Sequence, residues 1–244
     1  MPFTKPANYN EDIKVFYEKI KNKEKFAFSK YADGELHIFA NAPVNNGEFW
    51  FNPQSDHFYR QKMIESIKYE DENYYVGISC PCCIGGSAAH QYMKSLSARR
   101  EEKLTWANLF VNSNYDFYLK NIVPLYSDYE VYLVSNDASN LDNLPFNVKK
   151  HFMIGKNAWV ENYDLIDEIS EFIKINDIQN SLFLFCAGPF GNLLSSRLHK
   201  ANKSNTYLDI GSTLNPLLLG EEGKNRDYLK GINDINTSCV WEER

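Results

Sequence analysis

Ser181-Leu182-Phe183-Leu184-Phe185-Cys186 is the most hydrophobic strand-like run in the chain, and it breaks abruptly into Ala187-Gly188-Pro189-Phe190-Gly191. A strand with one face in water alternates apolar and polar residues, so an unbroken apolar run fits a strand covered on both faces. The Gly-Pro turn ends it, and residues 192–200 then take helical spacing. A doubly buried strand that passes directly into a helix is the mark of a parallel sheet sandwiched between helical layers.

The pattern repeats on either side. Residues 207–210 form a last strand ending at Gly211-Ser212, residues 130–135 (EVYLVS) a strand ending in Asn136-Asp137, and residues 150–154 a strand ending in Gly155-Lys156-Asn157-Ala158. Between them, residues 165–175 place Ile166, Ile169, Phe172 and Ile173 on one side of an amphipathic helix. Nearer the start, residues 11–21 carry Ile13, Phe16, Tyr17 and Ile20 at helical spacing, and residues 25–31 (KFAFSKY) form a strand running into Ala32-Asp33-Gly34-Glu35. A helix is expected over 36–40, an exposed loop rich in Asn, Pro and Gly over 41–53, and a helix over 58–68. A buried strand follows over 74–79, then Gly85 and Gly86 before a helix starting near Ala88, and a helix over 115–122. The expected fold is α/β, a mainly parallel Rossmann-like sheet with helices on both faces. No linker or composition shift divides the chain, so residues 1–244 are read as a single domain.

Composition narrows the function. The net charge is −6, and the longest basic runs are pairs such as Arg99-Arg100 and Lys149-Lys150, which disfavours a nucleic-acid partner. An acidic chain must handle an anionic substrate locally, through a metal ion or helix N-termini. No run approaches the ~18 apolar residues of a membrane span, and the first ten residues contain no signal-peptide core, so a soluble, cytoplasmic protein is expected. The five cysteines (Cys80, Cys82, Cys83, Cys186 and Cys239) match no zinc spacing and are read as reduced thiols. P-loop, dinucleotide-binding and serine-elbow motifs are all missing.

In such a sheet the chemistry sits beyond the carboxyl ends of the strands. There Asp33-Gly34-Glu35 sets two carboxylates around a glycine, suited to a hard divalent cation that completes its shell with phosphate and water. Equally, it suits an acidic helix N-terminus favoured by the dipole. Gly188-Pro189 opens a helix whose N–H groups could face a diphosphate, or forms an ordinary strand-to-helix turn. Lys156 and Asn157 offer a cation and an amide to a nucleotide, with Asn157 alternatively a helix cap. Asp137 is a candidate general base or an Asx-turn residue.

Taken in order, these segments resemble the GT-D type of glycosyltransferase, a domain family long labelled as of unknown function. The resemblance rests on Phe28-Ser29-Lys30-Tyr31-Ala32-Asp33-Gly34-Glu35, Lys156-Asn157-Ala158-Trp159, Gly188-Pro189 and Asp209-Ile210-Gly211, and covers about residues 25–215. It implies transfer of a sugar from a nucleoside-diphosphate sugar to a glycan or other hydroxyl acceptor. Asp33 and Glu35 would hold Mn²⁺ or Mg²⁺, and Gly34, Lys156, Asn157, Gly188 and Pro189 would join them in binding the donor. Asp137 or Asp209 would take the acceptor's proton. The chain departs from the family at Ser212, where His is frequent, and at Ser135-Asn136-Asp137. Residues 41–53 and 80–87 find no counterpart. Two other readings stand beside this one: another nucleotide-dependent transferase, or a non-catalytic module that binds a nucleotide or glycan. Aromatics around residues 115–118, taken as exposed, leave room for a homodimer.

Overall fold

A computed structural model describes residues 9–81, 86–97, 101–224 and 226–229. Its main strands are β1 (Ala27–Tyr31), β4 (Tyr74–Ile78), β5 (Leu104–Trp106), β6 (Val131–Asn136), β7 (Val148–Ile154), β8 (Leu182–Phe185) and β9 (Thr206–Asp209). A separate antiparallel hairpin joins β2 (Val44–Asn45) to β3 (Trp50–Phe51). The helices are α1 (Tyr9–Lys21), α2 (Asp33–Phe39), α3 (His57–Lys68), α4 (Gly86–Ser97), α5 (Tyr115–Phe117), α6 (Ala158–Glu161), α7 (Leu165–Ile175), α8 (Pro189–Ala201) and α9 (Asn215–Leu218).

The seven-stranded sheet runs in the order β5-β4-β1-β9-β8-β6-β7, and every neighbouring pair is parallel. Successive side chains of each strand enter opposite cores, as the pleat requires. Phe183 and Phe185 join Tyr132, Val134 and Tyr207 in a core shared with α3, α7 and α8. Leu182 and Leu184 join Leu133, Leu208 and Phe28 in a second core shared with α1 and residues 109–126. All four residues of β8 are buried, which is why its sequence shows no polar alternation. From β1 the chain moves outward to β4 and β5. It then crosses to β6 and β7 on the other side and returns inward through β8 to β9, which pairs with β1. Strand order therefore reverses between β1 and β9, and the crevice beyond their carboxyl ends is where this architecture takes ligands.

Several elements differ from expectation. Residues 41–53 are not simply loop, because the Phe51 ring is buried against Trp159 and pins a hairpin there. Residues 104–106 add an edge strand too short to show a period. The helix expected over 115–122 breaks into one α-turn, a wider π-turn over Tyr118–Ile122 and a tighter 3-10 segment over Val123–Asp128. Pro124, lacking an N–H, cannot extend an α-helix through that point. Tyr115 and Tyr118 are buried, with the Tyr115 hydroxyl donating to the Thr213 carbonyl at 2.9 Å, so these rings offer no exposed surface for a homodimer. Among the described residues no helix is long and apolar enough to cross a membrane. Cys82, Cys83, Cys239 and Gly85 lie outside the described residues.

Candidate active site

The crevice at the strand reversal opens into a cleft of about 340 Å³, within the range of small-molecule sites. Its walls come from the end of β1 with the first turn of α2, the β2–β3 hairpin, the ends of β6, β7 and β8, and the segment after β9.

Asp33-Gly34-Glu35 is the opening turn of α2 rather than a loop before it. Asp33 is exposed on the cleft, whereas Glu35 is buried and its Oε2 accepts the Ala32 N–H at 2.7 Å. Glu35 thus caps the turn while Asp33 stands free of it, and both line the cavity. Gly34 lets the hairpin close down on α2, since a Cβ there would lie 2.6 Å from the Phe49 ring and force it to shift. Phe49 thus closes over the head of α2.

Beneath them lies a charged cluster centred on Lys30, a mostly buried residue that also lines the cleft. Asp209 is sealed at the end of β9: its Oδ2 accepts the Lys30 N–H at 3.2 Å and the Asn192 amide at 3.1 Å, and its Oδ1 accepts the Gly211 N–H at 3.2 Å. Asn192 also donates to the Lys30 carbonyl at 2.5 Å, tying α8 to β1. The Lys30 side chain crosses the face of Gly211, where a Cβ would lie 2.3 Å from its Cε. Burial alone would lower the Lys30 ammonium, but the charges of Asp209, then Glu35, Tyr228 and Asp33 outweigh it and hold it above its usual value. Burial raises the Glu35 carboxyl against the pull of Lys30 and the Ala32 N–H. Burial likewise pushes Asp209 up to about 7, with Lys30 and the two backbone N–H groups resisting and Glu35 reinforcing.

That shift has a sign that can be measured. An unfolded aspartate titrates near 3.9, so between about pH 4 and 7 the folded chain holds a proton that the unfolded chain has released. The contribution of Asp209 to stability is therefore greatest below pH 4, falls as pH rises, and is spent above about 7. Thermal unfolding followed from pH 4.5 to 8 is expected to show a downward slope that flattens in Asp209→Asn.

The remaining predicted residues divide. Gly188 adopts φ 54°, ψ −138° at the head of α8, with Pro189 as its first helical residue, and both line the cleft. The N–H groups of Phe190 and Gly191 are already bonded to the carbonyls of Ala187 and Gly188, and Pro189 has none, so this terminus offers shape more than donors. Lys156 is exposed and lines the cleft. Asn157 does not face it: the residue is buried in a left-handed conformation (φ 52°), and its Oδ1 accepts the Trp50 N–H at 3.0 Å and the Trp159 indole N–H at 2.9 Å. It is a clip between hairpin and sheet. Asp137 is exposed outside the lining, which Asn136, Ser135 and Ser139 supply instead at the end of β6. Cys186 also lines the cleft, but burial and the neighbouring Asp209 push its thiol up, which removes it as a thiolate nucleophile at neutral pH. Sequence reasoning missed Lys30, Glu48, Phe49, Arg226 and Tyr228, all of which line the cleft. Only Lys30 carried a local signal, as a charge at the end of an otherwise buried strand.

No protein-family model matches the chain, and no curated protein does. Solved structures do. A selenomethionine-substituted domain of unknown function 1792 superposes with a TM-score of 0.56 at 15% identity, over 82% of this chain and 77% of that one. A glycosyltransferase of the same domain type from Streptococcus sanguinis gives 0.59 at 15%, over 82% and 80%. A third structure, described as a domain with a distinct glycosyltransferase fold, gives 0.54 at 16%, over 82% and 76%. This chain thus shares the distinct glycosyltransferase fold of domain of unknown function 1792, the GT-D type that its ordered motifs resemble.

Proposed function

We propose that this protein is a metal-dependent glycosyltransferase that binds a nucleoside-diphosphate sugar in the β1/β9 cleft and transfers its sugar to a hydroxyl acceptor, a glycan or similar. The observation that carries the reading is the meeting of Asp33, Lys30, Lys156 and the Gly188-Pro189 turn in one cleft at the strand reversal of this fold. Around Lys30 stand Asp33, Glu35 and Asp209, so at this end of the cleft carboxyl groups outnumber the one ammonium. A divalent cation fits that imbalance. Among the described residues no three His, Cys, Asp or Glu side chains converge on one point, so the ion would have to complete its shell with substrate phosphate and water.

Asp33 and Glu35 would hold the ion, which when bound offsets charge on the departing diphosphate. Lys156 and Lys30 supply further positive charge, and the Gly188-Pro189 turn leaves room for the nucleotide to approach the backbone. Phe49, lying over Gly34, walls the cleft on the hairpin side. The acceptor-side base falls to Asp137, next to the lining residue Asn136, in preference to Asp209, whose oxygens are filled by N–H donors.

The test is release of free nucleoside diphosphate from UDP-, GDP- and dTDP-sugars, with Mn²⁺ and with EDTA. One donor is expected to be cleaved slowly even without an acceptor. The release should vanish with EDTA and in Asp33→Ala, and fall by about 100-fold or more in Glu35→Ala. No release from any donor, together with no metal-dependent thermal shift by any nucleotide, would sink the reading in favour of a binding module.

A further inference from the structure

Arg226 reaches the cleft from the far end of the chain, just before the 3-10 turn Asp227–Leu229. Its Nη1 donates to the Tyr228 hydroxyl at 2.7 Å, and that hydroxyl shares a hydrogen bond with Ser212 Oγ at 2.9 Å, just beyond β9. The guanidinium is thereby oriented from one side. On the other side its Nη2 is held by the Glu48 carboxylate. Glu48 stands in the tight turn of the β2–β3 hairpin, whose backbone is fixed: Asn46 Oδ1 accepts the N–H groups of Glu48 and Phe49 at 3.0 Å, and the Glu48 carbonyl accepts the Asn157 N–H at 2.8 Å. Only the carboxylate is free to leave. Its side chain is 62% exposed, against 31% for that of Arg226.

These two ends are unequal as partners. An exposed ion pair contributes little, about 0–1 kcal/mol, because water competes for the carboxylate. A guanidinium oriented by a second group and directed into a cleft pairs more strongly with a doubly charged phosphoryl oxygen set, which it can grip with two N–H bonds. Lys30 and Lys156 line the same cavity, so Arg226 adds a third cation to those contributed by β1 and by the turn after β7.

We propose that Arg226 is a phosphate-binding residue of the cleft and that Glu48 occupies it in the free protein, to be displaced by the phosphoryl groups of the incoming ligand. The inference rests on the nucleotide-sugar reading for the ligand's identity, but its chemistry requires only a diphosphate. Glu48 then acts as an internal competitor that sets the affinity of the empty cleft.

The experiment is calorimetric titration of the full chain in Mg²⁺ buffer with inorganic pyrophosphate, and with UDP and GDP. Arg226→Gln is expected to weaken binding by about tenfold or more, the loss of a charge-assisted pair. Arg226→Lys, which keeps the charge but not the fork, should fall between. Glu48→Gln is expected to tighten binding several-fold, and the double variant should match Arg226→Gln, because Glu48 competes only through Arg226. Binding that is unchanged or weaker in Glu48→Gln would overturn the proposal. So would equal tightening with Arg226 already removed, which would mark Glu48 as a general negative charge. Absence of any diphosphate binding by the unaltered protein would remove the nucleotide-sugar reading as well, whereas tight binding indifferent to Arg226 removes this inference alone.

Discussion

Lys30→Met is expected to abolish donor turnover and to destabilise the protein by about 3 kcal/mol at pH 7.5, the lower end of the cost of leaving buried charge uncompensated, because the ammonium borders the cleft. The loss arises from what stays behind. Asp209 and Glu35 are 1% and 5% exposed, and without the ammonium their charges would face each other with only backbone and amide donors to hold them. Asp209 titrates at about 7 even with Lys30 beside it, so at pH 5 it is already neutral and there is less charge to strand. The penalty should therefore shrink as pH falls. Urea unfolding of both proteins at pH 5 and pH 7.5 measures this, and a cost independent of pH would show that methionine fails by packing alone.

Asn157→Ala is expected to cost about 2–4 kcal/mol, the sum of a left-handed alanine and two lost hydrogen bonds. The Trp50 N–H would lose its acceptor, and the Trp159 indole N–H would keep only the Trp50 carbonyl at 3.2 Å. The comparison that separates the two causes is Asn157→Gly, which tolerates φ 52° and should recover roughly 1 kcal/mol. Because the clipped hairpin carries Phe49 onto Gly34 at the wall of the cleft, both variants should also lose donor release. Stability equal to the unaltered protein in Asn157→Ala would mean that the hairpin is held by Phe51 packing instead.

The fold was legible where burial is two-sided or amphipathic over several turns. The apolar run 181–186 contains β8, and α7 spans the residues that its periodicity predicts. Elements below about four residues were not, because β2, β3 and β5 are too short for a period of two to register. The site was legible as a set of strand ends, but not in its inner wiring. Asp209 and Asn157 carry the residue types of a base and a nucleotide ligand, yet the first is closed off by three N–H donors and the second holds two tryptophans. Nothing local separates those roles. The pairing of Arg226 with Glu48 spans 178 positions, so no motif window could contain it.

The seam between β1 and β9 has a consequence for how the molecule is made. The bond from the Lys30 N–H to Asp209 joins residues 179 positions apart. During synthesis β1 can pair with β4 early, but its other edge stays bare until β9, about 180 positions later, has emerged. Non-local parallel pairing of this kind forms slowly, and an uncovered central edge invites pairing with another chain. The same seam that creates the cleft is thus the last part of the sheet to close, and a chain cut short before β9 would be exposed to aggregation along β1.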